Sequence, residues 1–561
     1  MILYDDLKTM SAIFSAKTFT MLLLTAVINV VLLSFLARKF MQIIQQSGYA
    51  YADYVKWTKK KNNVYITRLG MMVMLSVLSY LIYSIALSFA DVNWVAPTGF
   101  LFYLLFAVIF ARSDIKRKSK SPLVYTPRLI RIYITFSLIT FAVSFAVLLG
   151  CAALGVPFAE NDILFRVRFV PIFLTPLLVP ALVAFANAIN TPIERVNNKK
   201  YVEKCKQTLS EYPDLIKIGI TGSYGKTSVK EILKVLLSEK YKVLATPFSY
   251  NTPMGICKSV KRLDETYDVF IAEMGARHEG DIKELCDIVH PSYAIINGII
   301  EHHMDTFSSI NQIKKTKFEL VRGLEKGGTA ILTCDNEHTL SMAGEEKDVK
   351  IVLAGLNLSA RPSVYATEVK PTKYGCSFTL HLGGETAKCH SKLIGEHNVS
   401  NVMLASALCY ELGLSIGEIA AGISRLTPIS HRLEVTENEA GVTIIDDSYN
   451  SNVSGTVAAL KVLSGYDGRK IVVTPGMVEL GKNEDRENYE LGRRLAKVVD
   501  YAIIVSSGGA YLIRDGLLAE DFPLEKIYMA KDLADAMDKY KSMSASGDVL
   551  LFENDLPDKF L

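Results

Sequence analysis

The sequence predicts an α-helical membrane bundle followed by two α/β domains. Three observations carry that prediction. Apolar stretches of membrane-spanning length crowd the first 190 residues. A strand–glycine–helix pattern begins at Leu215 and opens an alternation of apolar strands and amphipathic helices, the pattern of a mostly parallel sheet. Near Glu434 the alternation starts again, which sets off a second, Rossmann-like domain. The expected boundaries are 1–190 for a bundle of about five transmembrane helices, 191–214 for a polar linker, 215–428 for the central domain and 429–561 for the C-terminal one.

Composition narrows the function classes. The formal net charge of +4 is too near neutral to point to nucleic acid. Mean hydropathy is +0.23, high for a soluble enzyme, and the apolar excess sits at the front. Eight cysteines are scattered without a C-x-x-C pair, which reads as reduced thiols and not as a disulfide framework or zinc site.

The five apolar stretches are Thr18 to Leu36, Leu69 to Ala90, Trp94 to Phe110, Ile132 to Leu154 and Phe169 to Ile189. Each approaches the ~20 residues a helix needs to cross a bilayer. The first is too long, and followed by too many others, for a cleaved signal peptide. Basic residues crowd two loops: Arg38, Lys39, Lys56, Lys59, Lys60 and Lys61 after the first stretch, and Arg112, Lys116, Arg117, Lys118, Lys120 and Arg128 after the third. The loop after the second has no Lys or Arg, and the loop after the fourth only Arg166 and Arg168. By the positive-inside rule the N-terminus lies outside and everything after Ile189 lies in the cytoplasm. No charged residue occupies the middle of a stretch, which argues against an ion or proton pathway and hence against an ATP-driven transporter.

The central domain opens with Ile218-Gly219-Ile220-Thr221-Gly222-Ser223-Tyr224-Gly225-Lys226-Thr227-Ser228. Leu215 to Ile220 reads as a buried strand. Val229, Ile232, Leu233, Leu236 and Leu237 recur at helical spacing behind the glycines. Such a loop presents backbone amides and a helix N-terminus to anionic oxygens. Gly222, Ser223, Gly225, Lys226, Thr227 and Ser228 are therefore the expected phosphate cradle, a P-loop, with Lys226 on the β/γ-phosphates and Thr227 on Mg²⁺. Ile220 stands where the standard Walker A spacing needs glycine, so the pattern is the shorter T-G-x-x-G-K-T.

Further strands are expected at Tyr241–Ala245, Val269–Ala272, Tyr293–Asn297, Thr329–Thr333 and Lys350–Ala354, with a small antiparallel insert over Ser363–Leu393. Glu273 ends the second of these strands, where a carboxylate can bind Mg²⁺ directly or through water. The C-terminal domain shows strands at Val442–Ile445, Ile471–Val473, Tyr501–Val505, Ile527–Met529 and Val549–Phe552, with helices between, for example Glu484–Val498 and Asp532–Ser544. It carries no G-x-G-x-x-G fingerprint, which disfavours NAD.

These motifs occur in a known order. The glycine loop, Glu273-Met274-Gly275, Glu301-His302-His303-Met304-Asp305, Lys317, Gly395-Glu396-His397-Asn398-Val399-Ser400-Asn401, His431-Arg432-Leu433-Glu434 and Asp446-Asp447-Ser448-Tyr449-Asn450-Ser451-Asn452 resemble the Mur ligases, which build the peptide of bacterial peptidoglycan. The Asp-Asp-Ser-Tyr-Asn run and Gly476-Met477-Val478-Glu479-Leu480-Gly481 are most similar to the MurF branch, which adds D-alanyl-D-alanine. The resemblance runs from about Leu215 to the end.

The resemblance implies a reaction in which ATP converts a carboxylate to an acyl phosphate and an amine displaces the phosphate. It implies that Thr227 and Glu273 hold one Mg²⁺. It places His303 at a second Mg²⁺, with Lys317 carbamylated by CO₂ to serve that ion. It gives Asn398 and Asn401 to adenine, Asp447 to ribose, and Arg432 to phosphate from the C-terminal side. Lys226, Lys317, His303 and Arg432 are the catalytic set so implied.

Two departures bear on the substrates. The helices occupy the place of the family's uridine-nucleotide-binding domain. The last strand ends Phe552-Glu553-Asn554-Asp555, where MurF enzymes usually have Lys-Gly-Ser near the incoming amine. The expected acceptor is then a carboxylate-bearing envelope precursor near the membrane, UDP-linked or on a lipid carrier, and the donor an amino acid or dipeptide chosen partly by Glu553 and Asp555. A membrane-anchored ligase of another polymer, such as poly-γ-glutamate, and a non-catalytic scaffold remain open at this point.

Overall fold

The computed structural model describes residues 16–60, 63–86, 95–115, 122–154, 169–301, 304, 306–449 and 452–555. The chain divides into two compact units at Asn197/Asn198.

The first unit is helical: Ala16–Leu36, Arg38–Gln46, Tyr51–Thr58, Val64–Ala86, Val95–Ile115, Pro127–Leu154, and a last run from Val170 to Ser210. Pro171, Pro176 and Pro180 mark the irregular start of that run, where Thr175–Leu178 tightens into a 3₁₀ turn before the helix Val179–Ser210. Polar side chains join the helices internally. Asn29 Nδ2 donates to Ser144 Oγ (2.9 Å) and Thr175 Oγ1 (3.1 Å), and Tyr103 OH donates to Asn29 Oδ1 (2.9 Å). In an apolar surround such bonds specify which helices meet.

Two sequence expectations change here. Four helices among the described residues are long and apolar enough to cross a membrane, within Phe19–Leu36, Val64–Ile85, Pro127–Ala153 and Val170–Ser210, where the sequence suggested five. The third stretch is helical over Val95–Ile115, but its described apolar part, Leu101–Arg112, is shorter than a span requires. The segment expected as a polar linker is helix as far as Ser210, because Glu, Lys, Arg and Gln are good helix formers and nothing but Pro192 interrupts them.

The second unit contains two sheets. The larger has nine strands: β1 (Ile216–Thr221), β2 (Val243–Ala245), β3 (Val269–Glu273), β4 (Tyr293–Ile296), β5 (Thr329–Thr333), β6 (Lys350–Gly355), β7 (Val364–Thr372), β8 (Gly375–Leu382) and β9 (Glu385–Ser391), in the order β2-β3-β1-β4-β5-β6-β7-β8-β9. β1 to β7 pair in parallel, and β8 and β9 continue antiparallel. The expected antiparallel insert is thus an extension of the main sheet, joined through Ala354↔Val364. Alternate residues of β3 enter different cores. Val269 and Ile271 pack with the helices Lys226–Leu237 and Glu396–Glu411, while Phe270 and Ala272 pack with Pro253–Val260, Asp281–Val289 and Ile310–Arg322.

The smaller sheet has six strands: β10 (Glu434–Glu437), β11 (Thr443–Asp447), β12 (Lys470–Thr474), β13 (Tyr501–Val505), β14 (Ile527–Ala530) and β15 (Val549–Glu553), ordered β10-β11-β15-β12-β13-β14. All pairs are parallel except the edge strand β10, a polar strand that the sequence pattern does not announce. All eight cysteines are buried and none forms a disulfide.

Candidate active site

Parallel pairing brings the C-terminal ends of β1, β3, β4 and β5 to one edge of the large sheet, the place where open α/β sheets bind ligands. The register sets Ile220 beside Glu273 and Thr221 beside Ile296, so the glycine loop, Glu273 and Asn297 emerge together.

The loop turns at Gly225, which has φ +71° and precedes the helix Lys226–Leu237. A Cβ there would lie 2.1 Å from Asn297 Nδ2, so glycine is required both by conformation and by space. Ser223 N donates to Gly298 O (2.8 Å), tying the loop to the end of β4. Lys226 Nζ donates to Gly222 O (2.8 Å) and so arches back over the loop.

Glu273 is the focus of the polar contacts. Its Oε2 accepts from Thr227 Oγ1 (3.1 Å) and Lys230 Nζ (3.3 Å), and its Oε1 accepts from Asn251 Nδ2 (3.2 Å). Lys230 and Glu273 are 0% and 1% exposed, and Lys230 also donates to Phe248 O. The Thr227 hydroxyl and the Glu273 carboxylate are hard oxygens suited to Mg²⁺. Lys230 and Asn251 escape a sequence reading. Lys230 stands four residues after Lys226 on an amphipathic helix, where a lysine is normally solvated.

Two cations from separate elements, Lys226 and Arg432, feel this carboxylate, and a third, Lys317, feels Lys226. Burial, and then Arg432, lowers the pKa of Lys226, which Glu273 raises. Burial, and then the charge of Lys226, brings Lys317 down to about 7. Lys317 is 4% exposed on the helix Ile310–Arg322. Arg432 is lowered by burial and supported by Asp447, Tyr449 and Glu273; its guanidinium carbon lies 4.3 Å from the Tyr449 ring centroid, and its Nε is buried without a partner. A chain of buried cations, Arg432 lowering Lys226 and Lys226 lowering Lys317, defines a place for further negative charge.

The turn that carries Arg432 is strained, with φ +60° at His431 and +50° at Leu433. It is strapped from β10 and β11. His431 Nδ1 lies 2.7 Å from Asp446 Oδ2, His431 N donates to Glu434 Oε2 (3.2 Å), and Leu433 N donates to Asp447 Oδ1 (3.3 Å). His431, Glu434 and Asp446 also bring ligand atoms within 4.8 Å of one another, but the His431–Asp446 bond already occupies them as a strap.

A cavity of about 290 Å³ gathers Gly225, Ser228, Asn398, Asn401, Arg432 and Asp447, all expected from the sequence, with Tyr224, Asn297, Asp335 and Asn452, which were not. Its back wall is a relay of amides: Asn297 Nδ2 to Asn401 Oδ1 (2.8 Å), Asn401 Nδ2 to Asn398 Oδ1 (3.2 Å), and Asn398 Nδ2 to Ile394 O (2.9 Å). Asp335 follows β5 and accepts from Leu356 N and Asn357 N (both 2.7 Å) and from the Ser400 hydroxyl. A polar residue just past a buried parallel strand was the available signal for it. Burial pushes Asp447 up to about 6 against the pull of Arg432. His303 lies outside the described residues, as do Asn450 and Ser451.

At the far end of the small sheet β11 and β15 set Asp447 opposite Glu553. Glu553 is buried and accepts from Thr456 Oγ1 (2.8 Å), and Asn554 Nδ2 donates to Gly476 O (2.6 Å). Of the two acidic residues expected there, Glu553 is internal and Asp555 is exposed.

Residues 220–409 match the family model of the Mur ligase middle domain, and residues 431–553 match that of the Mur ligase glutamate ligase domain. The UDP-N-acetylmuramoyl-tripeptide–D-alanyl-D-alanine ligase of Escherichia coli (strain K12) is 31% identical over 291 residues, 52% of this chain and 64% of that one. The ligase of the same name from Mycobacterium leprae (strain TN) is 31% identical over 364 residues, 60% of this chain and 70% of that one. The chain thus spans less than two thirds of the length of the Escherichia coli relative. Among solved structures, MurF from Acinetobacter baumannii superposes with TM-score 0.58 at 27% identity, covering 64% of this chain and 77% of that one. MurF from Thermotoga maritima in complex with ADP shares the fold at TM-score 0.57 and 23% identity, over 64% of this chain and 80% of that one.

Proposed function

From the premise that the chain belongs to the Mur ligase family, we propose that it is a membrane-anchored, ATP-dependent amide ligase of cell-envelope synthesis, MurF-like in its chemistry. The observation that carries the reading is a chain of buried cations, in which Arg432 lowers Lys226 and Lys226 lowers Lys317, with the Glu273 carboxylate acting on Lys226 and Arg432. A substrate carboxylate oxygen attacks the γ-phosphorus of ATP and ADP leaves. The amine then attacks the acyl carbon, phosphate leaves, and the amine nitrogen gives up a proton.

Each residue has a stated part. The Gly222–Ser228 P-loop amides and Lys226 hold the phosphates. Arg432, presented by its strapped turn, neutralises charge on the transferring group from the other side. Asn398 and Asn401 face adenine and Asp447 faces ribose, within the cavity they share. Thr227 and Glu273 would hold one Mg²⁺, and His303 with a carbamylated Lys317 a second; bound there, the ions supply charge neutralisation to the phosphoryl transfer. A Lys317 amine brought down to about 7 is largely neutral at physiological pH, the form that reacts with CO₂. The β10–β15 domain is the Rossmann-like partner that closes the site and keeps water from the acyl phosphate.

The helices anchor this machinery on the cytoplasmic face, with the N-terminus outside. The carboxylate substrate is an envelope precursor held near the membrane, and Glu553 contributes to the choice of amine.

The test is ADP release by the full chain in lipid nanodiscs across candidate carboxylates and amines. Substrate-dependent release that Lys226→Ala lowers roughly a hundredfold or more supports the reading. ADP release that needs neither substrate nor Lys226 overturns it.

A further inference from the structure

Polar atoms without partners meet at one end of the helical unit. Ser47 and Asn187 are 7% and 3% exposed. Ser47 Oγ, Asn187 Oδ1 and the Nε of Arg128 are buried with no hydrogen-bond partner among the described residues. Arg128 and Asn187 both contact Tyr49, and Ser47 belongs to the same turn. The Arg128 guanidinium carbon lies 3.9 Å from the Tyr49 ring centroid, Asn187 Nδ2 donates to Tyr49 O (3.1 Å), and Ser47 is two residues earlier in the same turn.

That turn is held under strain. Gly48 and Tyr49 have φ +61° and +65°, a region a bulky side chain enters only when its surroundings force it. The forcing contacts come from the segment leading to Arg128. Gln45 holds the Val124 backbone from both sides, through Nε2 to Val124 O (2.7 Å) and Val124 N to Oε1 (3.0 Å). Tyr49 OH lies 3.3 Å from Thr126 Oγ1. Thr126 in turn accepts from Leu129 N (3.2 Å), capping the helix that begins at Pro127.

Arg128 feels the Glu194 carboxylate and the Tyr49 ring, and among the described residues it makes no direct ion pair. Glu194, the carboxylate that acts on it, gives Oε1 to Arg131, through Nε (2.8 Å) and Nη2. A guanidinium stacked on a ring, with a buried N–H lacking an acceptor, is an open position for an anionic oxygen. The Ser47 hydroxyl offers a second donor. Asn187 Oδ1 offers an acceptor for a P–OH or an alcohol beside the phosphate. The apolar window Pro127–Ala153 begins one residue before Arg128, which is headgroup depth if this helix crosses a bilayer.

We propose that Arg128, Ser47 and Asn187 form a binding site for the phosphate headgroup of a lipid. The site belongs to the helical unit and stands independently of the ligase reading. Either a phosphodiester bilayer lipid or a polyprenyl phosphate presents this chemistry.

Native mass spectrometry of the delipidated full chain separates them, with phosphatidylglycerol, polyprenyl phosphate, phosphatidylcholine and inorganic phosphate added in turn. One anionic lipid is expected to bind at least tenfold more tightly than phosphatidylcholine, with a tenfold loss in Arg128→Ala and a smaller loss in Ser47→Ala. Preference for phosphatidylglycerol identifies a bilayer-lipid site, and preference for polyprenyl phosphate a carrier-lipid site. Arg128→Lys keeps the charge without the planar fork, and it reads the same loss if the alanine variant misfolds. Equal binding by wild type and both Arg128 variants, no preference over phosphatidylcholine, or competition by inorganic phosphate at matching concentration would overturn the proposal.

Discussion

Lys230 Nζ lies 3.3 Å from Glu273 Oε2, the same oxygen that accepts the Thr227 hydroxyl at 3.1 Å. The buried ammonium neutralises a carboxylate that a Mg²⁺ would otherwise have to satisfy. Lys230→Met leaves that carboxylate short of a cation. The variant should lose roughly 3–5 kcal/mol of stability, the range for breaking a buried pair. Mg²⁺ with nucleotide should restore part of the loss, because the ion replaces the ammonium. Thermal unfolding with and without Mg-ADP measures both. An unchanged Tm in Lys230→Met would remove the pairing from the account.

Lys317 tests the carbamate. Its amine, brought down to about 7 by burial and by Lys226, is half neutral near that pH. Ligase activity should therefore rise with pH through about 7. Lys317→Ala should be nearly inactive and be partly rescued by formate or acetate. Carbon-13 NMR under labelled CO₂ should show one carbamate signal that the variant lacks. Folding carries the same sign: the folded state gives up a proton from Lys317 that the unfolded chain keeps up to its ordinary 10.5, so this contribution to stability grows from about pH 7 to 10.5.

Asp447 makes the opposite kind of pH statement. Burial lifts it from 3.8 to about 6, so folding takes up a proton, and its contribution to stability falls as pH rises from about 4 to 6. In the proposed ribose contact the ionised form accepts with one oxygen while Leu433 N donates to the other, and protonation weakens that acceptor. KM for ATP should climb as pH drops below 6 in wild type and stay flat in Asp447→Asn. Parallel profiles in the two proteins would rule out the ribose contact.

Glu553 is opposite Asp447 across the β11–β15 pair and bonds Thr456. Glu553→Gln keeps the shape and the Thr456 bond while deleting the charge. It should shift amine preference away from cationic donors by roughly tenfold in kcat/KM, about 1.4 kcal/mol. Unaltered preference across neutral and cationic amines would discard the role.

Much of this was legible in the residues, and what was not has physical causes. The glycine loop could be read because Gly225 answers a local demand, a left-handed turn before a helix. Glu273 could be read because a carboxylate closing an all-apolar strand has no packing explanation. Lys230 could not, since its burial depends on a loop 18 residues away at Phe248. The joining of β7 to β6 escaped because register between distant strands is set by packing and not by period. The helix through 191–210 escaped because a polar stretch between two apolar regions reads as a linker, although the residues there favour helix. The amide relay Asn297–Asn401–Asn398 joins positions 104 residues apart, and only its last two members share a motif.

All eight native thiols are buried. To a membrane-impermeant maleimide the intact protein is close to silent, so a single engineered cysteine would report alone. Placed at the exposed Lys59, it should stay unlabelled in whole cells and react once they are opened. Reaction in whole cells would put that loop, and the basic residues around it, on the outer side.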